Sequence, residues 1–258
     1  MIKGLYTAAA GMMVQMGRQD VIANNIANVN TGGFKKDVAI VQAFPAMLIS
    51  RMENNDQQHA GQINKDSPVP LGSLSTGACI ANITTDYAVG STKVTDRKTD
   101  LAIGNPNGFF VVQTPEGDRF TRNGSFVISA DGFLVNQQDY PVLDDLDQMI
   151  PVDGEFAIDR QGMITMNGET QGRIKIVQFE DPQALQKEED LYNNLDQVAD
   201  PLEDPGILQG YQELSNVNAV KEMVQLINTV RAYETCQKVV QAEDESLDIA
   251  INQVGAVV

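Results

Sequence analysis

Few side chains in this sequence are of a type that could do chemistry, and their spacing decides against most of it. His59 is the single histidine. It sits in the polar run MENNDQQHAGQINKDSPVP (52–70), with no second imidazole for a metal site and no setting for a serine or cysteine triad. Cys79 and Cys236 are far apart and form no CxxC, so they read as two free thiols and define no disulfide framework. Gly72-Ser-Leu-Ser-Thr-Gly77 has the glycine spacing of a phosphate loop, but Ala78 and Cys79 stand where Lys and Ser/Thr are required, and the run reads as a turn. Asp144 with Asp145 or Asp147 could serve as a general acid/base pair if the carboxyl groups shared a cleft, roughly 5 to 9.5 Å apart. In a chain with 35 acids, adjacent carboxylates read first as surface charge. No catalytic, cofactor-binding or metal-binding residue is assigned.

Charge narrows the partners. The formal net charge is −17, which repels nucleic acid and anionic membrane surfaces and leaves proteins or neutral surfaces as partners. Residues 1–36 run against this trend, with Lys3, Arg18, Lys35 and Lys36 against Asp20, a net +3. An arm of that sign is attracted to an acidic body, its own or another copy's. No apolar run is long enough to cross a bilayer, and residues 1–20 lack the apolar core and cleavage site of a secretory signal, so export would proceed without cleavage.

Both ends of the chain carry helical periodicity. Leu5, Ala9, Met12, Met16, Gln19, Ala23 and Ile26 repeat at alternating four and three, which predicts a helix from Ile2 to about Asn28 or Asn30 with a narrow apolar seam. Gly32 and Gly33 stop it, Lys35 and Lys36 suit the negative end of its dipole, and Asn24, Asn25 and Asn28 crowd its last turn, where amides bond unpaired carbonyls or a neighbouring subunit. At the far end Met223, Leu226, Val230, Tyr233, Gln237, Val240, Asp244, Leu247, Ile251 and Val254 form a second seam, after a start capped by Ser215, Asn216 or Asn218. Such narrow stripes need a partner helix, and each supplies one for the other; separate packing of each helix on the middle of the chain fits the periodicity equally well.

Between the helices lies a different pattern. Residues 37–72 read as an extended connector. From 73 to 180, short β-type runs (Phe109–Gln113, Arg119–Arg122, Ser125–Ser129, Phe133–Asn136, Arg173–Phe179) alternate with turn dipeptides such as Glu116-Gly117, Asn123-Gly124, Asp131-Gly132 and Gln171-Gly172. The expected fold class is therefore α+β, with N- and C-terminal helices paired as a coiled coil around a central all-β, antiparallel, barrel- or sandwich-like domain. Residues 181–209 read as an acidic linker whose spacing forms no EF-hand loop, and 210–258 as the C-terminal helix and its approach.

Three stretches carry a resemblance. Ala23-Asn-Asn-Ile-Ala-Asn-Val-Asn-Thr-Gly-Gly-Phe-Lys-Lys36, the segment from Gly108-Phe-Phe-Val-Val through Arg119-Phe-Thr-Arg-Asn-Gly-Ser-Phe126 to Asp131-Gly-Phe-Leu-Val135, and Gly210-Tyr-Gln-Glu-Leu-Ser-Asn-Val-Asn-Ala-Val-Lys-Glu-Met223 with Arg231-Ala-Tyr-Glu234 resemble the signatures of bacterial flagellar basal-body rod and hook proteins. The resemblance implies a structural protein with no cofactor. Such a protein leaves through the flagellar type III apparatus and polymerises with itself and with other rod and hook proteins into the axial shaft. Its terminal helices lie innermost and order on assembly. By this carry-over Leu5, Met12, Met16, Asn24, Asn25, Asn28, Met223, Leu226, Val230 and Tyr233 are assembly contacts. A distal-rod type is favoured over a proximal one. Two readings from other classes stand beside it: a secreted hydrolase or carbohydrate-binding β domain, and a soluble protein whose C-terminal helix is an amphipathic ligand.

Overall fold

A computed structural model describes residues 2–51, 69–166, 168–188, 190–194 and 197–254. His59 and most of the polar run lie outside the described residues. The N-terminal helix α1 spans Ile2–Ala27 and the C-terminal helix α2 spans Ala219–Ile249. Asn218 caps α2, its Oδ1 accepting the Lys221 amide at 3.0 Å. Between them the described residues form mostly antiparallel β structure and turns, with one short 3-10 helix at Pro182–Ala184, so the chain is α+β.

The chain divides into two compact units, Met1–Val21 with Ala39–Ile83 and Val224–Val258, and Ile22–Val38 with Thr84–Met223. In the second, the longest sheet has six strands, in the order Gln186–Glu188, Leu191–Asn193, Gly117–Thr121, Gly108–Thr114, Ile176–Gln178, Asp200–Pro201. Its central strand, Gly108–Thr114, is buried from Gly108 to Val112. Phe110 and Val112 enter one apolar cluster with Phe126, Leu134, Ile164 and Ile174. Phe109 and Val111 enter another with Phe120, Phe179 and Tyr192 on the opposite face. The continuous apolar run GFFVV is what a strand covered on both faces requires. At the hairpin Glu116-Gly117, Gly117 adopts φ +122°, a conformation that favours glycine.

Of the barrel- or sandwich-like domain expected, a closed barrel is not present among the described residues. The six-stranded sheet ends on two strands that do not pair with each other, and the rest of the described β structure is split into sheets of two and three strands. Two of the expected turns also differ. Gly172 lies inside the strand Glu169–Arg173. Gly124 marks a close backbone approach, where an added Cβ would collide with the Leu101 carbonyl. Residues 186–193, within the stretch read as an acidic linker, supply two strands to the sheet.

The first unit holds the outer parts of both helices and a hairpin, Met47–Arg51 with Val69–Leu74. In this unit's part of α1 Ala8 and Val14 are buried, and Gly77 packs close to Ala10 and Phe44.

Candidate assembly interface

Two places concentrate the features expected of the termini. In the first unit, α1 and α2 approach at glycines. A Cβ built on Gly4 would strike the Glu243 carboxylate, and one on Gly11 would lie 3.1 Å from Cys236 Sγ. The two contacts lie seven residues apart on each helix, in opposite chain order. An apolar recess of about 510 Å³ lies beside this contact, lined by Gly4, Thr7, Ala8, Leu74, Cys236 and Val239 among others.

The less exposed stripe of α2 follows the same step: Glu222, Leu226, Thr229, Tyr233, Cys236, Val240, Glu243 and Leu247 are buried or half-buried. Leu226, Tyr233, Val240 and Leu247 belong to the seam read from the sequence. The intervening positions are shifted by one residue, with Glu222, Cys236 and Glu243 inward in place of Met223, Gln237 and Asp244, and Thr229 buried beside a half-buried Val230. Met223 is 50% exposed and stands with Val220, Val224 and Ile227 on an open apolar edge; Val230 is half-buried. On α1, Leu5 and Met12 are half-buried, whereas Met16 is exposed with Tyr6 and Met13.

In the second unit, the end of α1 and the approach to α2 are tied to the β structure. Asn24 is exposed. Asn25 is buried and bonds its own chain twice: Nδ2 donates to the Asp37 carbonyl at 2.8 Å, and Oδ1 accepts the Asp37 amide at 2.9 Å. Asn28 Nδ2 donates at 3.0 Å to the Asn24 carbonyl, which also accepts the Asn28 backbone amide at 3.1 Å, and Asn28 Oδ1 accepts from Thr31 Oγ1 at 3.1 Å. Beyond it, Gly33 takes φ +68° and its amide donates to the Glu213 carbonyl at 2.8 Å.

Next in sequence, Lys35 does not remain at the helix end to face the dipole. Its ammonium, 1% exposed, donates to Glu213 Oε1 at 2.6 Å and to the Ala88 carbonyl at 2.9 Å. Glu213 also accepts the Gly90 amide at 2.9 Å and Arg122 Nε at 3.2 Å. Arg122 Nη1 donates in turn to the carbonyls of Asn105, Pro106 and Gly108, and its guanidinium lies 5.8 Å from the centre of the Phe109 ring. Burial lowers the Lys35 pKa, and Glu213 opposes that shift. Asn216 closes the group: Oδ1 accepts the Lys36 amide at 2.8 Å and Nδ2 donates to the Asp86 carbonyl at 2.7 Å. Lys187 covers it, with Nζ 3.8 Å from the centre of the Phe34 ring and 2.9 Å from Asp37 Oδ2.

Sequence reasoning does not find this cluster, because it gives Lys35 to the dipole of α1 and pairs neither Arg122 nor Glu213 with any other residue. A basic residue directly after a Gly-Gly-Phe stop and an isolated acid in the apolar approach to α2 were the available signals. The acid pair considered for catalysis has another use. Asp144 Oδ1 accepts the Leu146 and Gln148 amides at 2.9 and 2.8 Å, which shapes a turn, and Asp147 pairs with Lys175. Among the described residues no group of His, Cys, Asp and Glu could hold a metal ion.

Comparison with known proteins agrees with this layout. Three family models match in chain order: "Flagella basal body rod protein" over residues 5–35, "Flagellar hook protein FlgE/F/G D1 domain" over 104–166, and "Flagellar basal body rod FlgEFG protein C-terminal" over 208–253. The first and last fall on the two terminal segments that meet at Lys35 and Glu213. The flagellar hook-basal body complex protein FlhO of Bacillus subtilis is 35% identical across all of both chains. The flagellar basal-body rod protein FlgF of Caulobacter vibrioides is 33% identical, also across all of both. The flagellar basal-body rod protein FlgG of Buchnera aphidicola subsp. Schizaphis graminum is 33% identical over 96% of this chain and 98% of its own. The chain therefore belongs to the flagellar basal-body rod proteins, structural components of the bacterial flagellar basal body and not enzymes.

Proposed function

We propose that this chain is a rod subunit of the distal type, exported through the flagellar type III apparatus and polymerised helically into the axial drive shaft. Its partners are further copies of itself and the rod and hook proteins above and below. Several relatives named FlgG, and the Tyr211-Gln-Glu-Leu-Ser-Asn-Val-Asn218 stretch, support the distal assignment over the proximal one. In this reading α1 and α2 pair as an antiparallel coiled coil in the inner layer of the shaft, and the β structure faces outward.

The observation that carries the reading is the pair of apolar edges left open on the helices. Tyr6, Met13 and Met16 on α1, and Val220, Met223, Val224 and Ile227 on α2, are all at least half exposed, while each helix buries only a narrow stripe within its own chain. Edges of this kind at heptad spacing fit a second layer of helices. Met16, Asn24 and Met223 are then contacts between copies, whereas Leu5, Met12, Leu226, Val230 and Tyr233 hold the helix pair of one subunit, and Asn25 and Asn28 shape its base.

Deletion of the gene should abolish swimming and leave basal bodies that stop short of the hook. A chain lacking residues 1–21 should keep its β circular dichroism and fail to restore motility. Normal swimming by the deletion strain would end the reading, and loss of the β signal on truncation would place the terminal helix in the globular core.

A further inference from the structure

In the family picture the terminal segments gain order when subunits assemble. The contacts at Lys35 point to a boundary for that process well inside both signature motifs. Lys35, Arg122 and Glu213 are each almost without solvent exposure, at 1%, 1% and 2%. Every oxygen of the Glu213 carboxylate has a donor from elsewhere in the second unit: Lys35 and Gly90 on Oε1, Arg122 on Oε2. The main chain is tied at the same place, Gly33 N to Glu213 O at 2.8 Å and Asn216 N to Phe34 O at 3.3 Å. None of these partners comes from another molecule.

A carboxylate removed from water and given two cations and an amide is stable only while all of them are in place. The two terminal motifs are brought together by that requirement, and Arg122 fixes both to the start of the central strand through the carbonyls of Asn105, Pro106 and Gly108. We infer that Lys35, Arg122, Glu213 and Asn216 form an intrachain clasp that is already closed in the solitary subunit, so that residues 33–36 and 213–216 fold with the β structure and only helix residues beyond them await a partner copy. The signature residues Gly33, Lys35 and Asn216 are then fold-determining groups, and adhesion between copies belongs to other positions.

Hydrogen exchange read by mass spectrometry on the full-length monomer tests this, independently of whether the chain forms a rod. Amides of 33–36 and 213–216 should be protected on the order of a thousandfold, comparable with the strand 108–114, while those of residues 4–20 and 230–250 exchange far faster. Exchange of 33–36 as fast as that of residues 4–20 would overturn the clasp. In Glu213→Gln, protection of both segments should fall at least tenfold more than that of strand 108–114. Equal protection in variant and parent would also overturn it. Should the variant fail to fold, Asn216→Ala, which removes three hydrogen bonds and no charge, gives the same comparison.

Discussion

Gly33 offers the sharpest quantitative test of how the terminal motif is seated. Two costs separate at this position. Its φ of +68° is left-handed, and placing any Cβ there costs roughly 1–2 kcal/mol. That Cβ would also collide with the carbonyl carbon and oxygen of Arg122 and come 2.6 Å from the Asn123 nitrogen, all backbone atoms that no rotamer change can move. The backbone must therefore shift at Arg122, whose guanidinium holds Glu213; disturbing a buried ion pair on one side costs about 3–5 kcal/mol when it is lost entirely. Gly210 is the control, with φ +79° and nothing within 4 Å of an added Cβ. Gly210→Ala carries the conformational term alone. Gly33→Ala should exceed it by about 2–4 kcal/mol, which for a chain of this size separates the two melting midpoints by roughly 4–16 °C. Thermal melts of the monomer followed by circular dichroism in the β region decide the matter. Equal midpoints for the two variants would refute both the close approach at Arg122 and the energetic weight given to the ion cluster.

Other perturbations follow from the same geometry. Phe110→Ala, which empties a fully buried position beside Phe126, should cost about 3–5 kcal/mol in urea unfolding. Met16→Glu and Met223→Glu should change monomer stability by no more than about 0.5 kcal/mol, because both side chains are exposed, and yet abolish polymerisation seen by sedimentation. Alkaline pH should destabilise the β structure. Burial raises the Tyr87 hydroxyl to about 12 and pushes Tyr192 well above its usual value, so the stability they contribute is full below pH 10 and lost as pH rises from there through the raised value. Lys35, lowered by burial, acts in the opposite sense only below pH 10.5, so urea midpoints should fall most steeply above that pH, and less in Tyr87→Phe.

How far the sequence revealed this molecule differs between its elements for physical reasons. The ends of α1 and the start of α2 were legible because glycines and an Asn cap act locally. The strand 108–114 was legible because five consecutive apolar residues can be buried together only between two covers. Helix phase was harder. Along α2 the stripe through Leu226, Tyr233, Val240 and Leu247 is flanked on one side by Met223 and Val230 and on the other by Glu222, Thr229, Cys236 and Glu243. Hydrophobicity favours the first side, whereas the structure turns the second inward. A helix with more apolar surface than one partner can cover leaves some of it outside, and periodicity does not say which part. The barrel expectation failed on a related point, since turn dipeptides give the number and spacing of strands but carry no information on whether the edge strands meet.

The same surplus of apolar surface separates two kinds of residue in the terminal segments. Asn25, Gly33, Lys35 and Asn216 spend their hydrogen bonds inside the chain, and Gly33 has no room for a side chain. Asn24, Met16 and Met223 are open to solvent. In the proposed role, a subunit that travels alone and later binds copies of itself needs both: a base stable without neighbours, and edges whose burial is incomplete until neighbours arrive. Burying a methionine side chain contributes about 1.5–3 kcal/mol, so Met13, Met16 and Met223 together could supply several kcal/mol per subunit to association if fully covered. That gain is reduced by the entropy lost in ordering any chain that is disordered before contact. The buried cluster at Lys35 and Glu213 already orders residues 33–36 and 213–216 within the second unit, and weakening it should reduce polymerisation even in a variant whose exposed methionines are untouched.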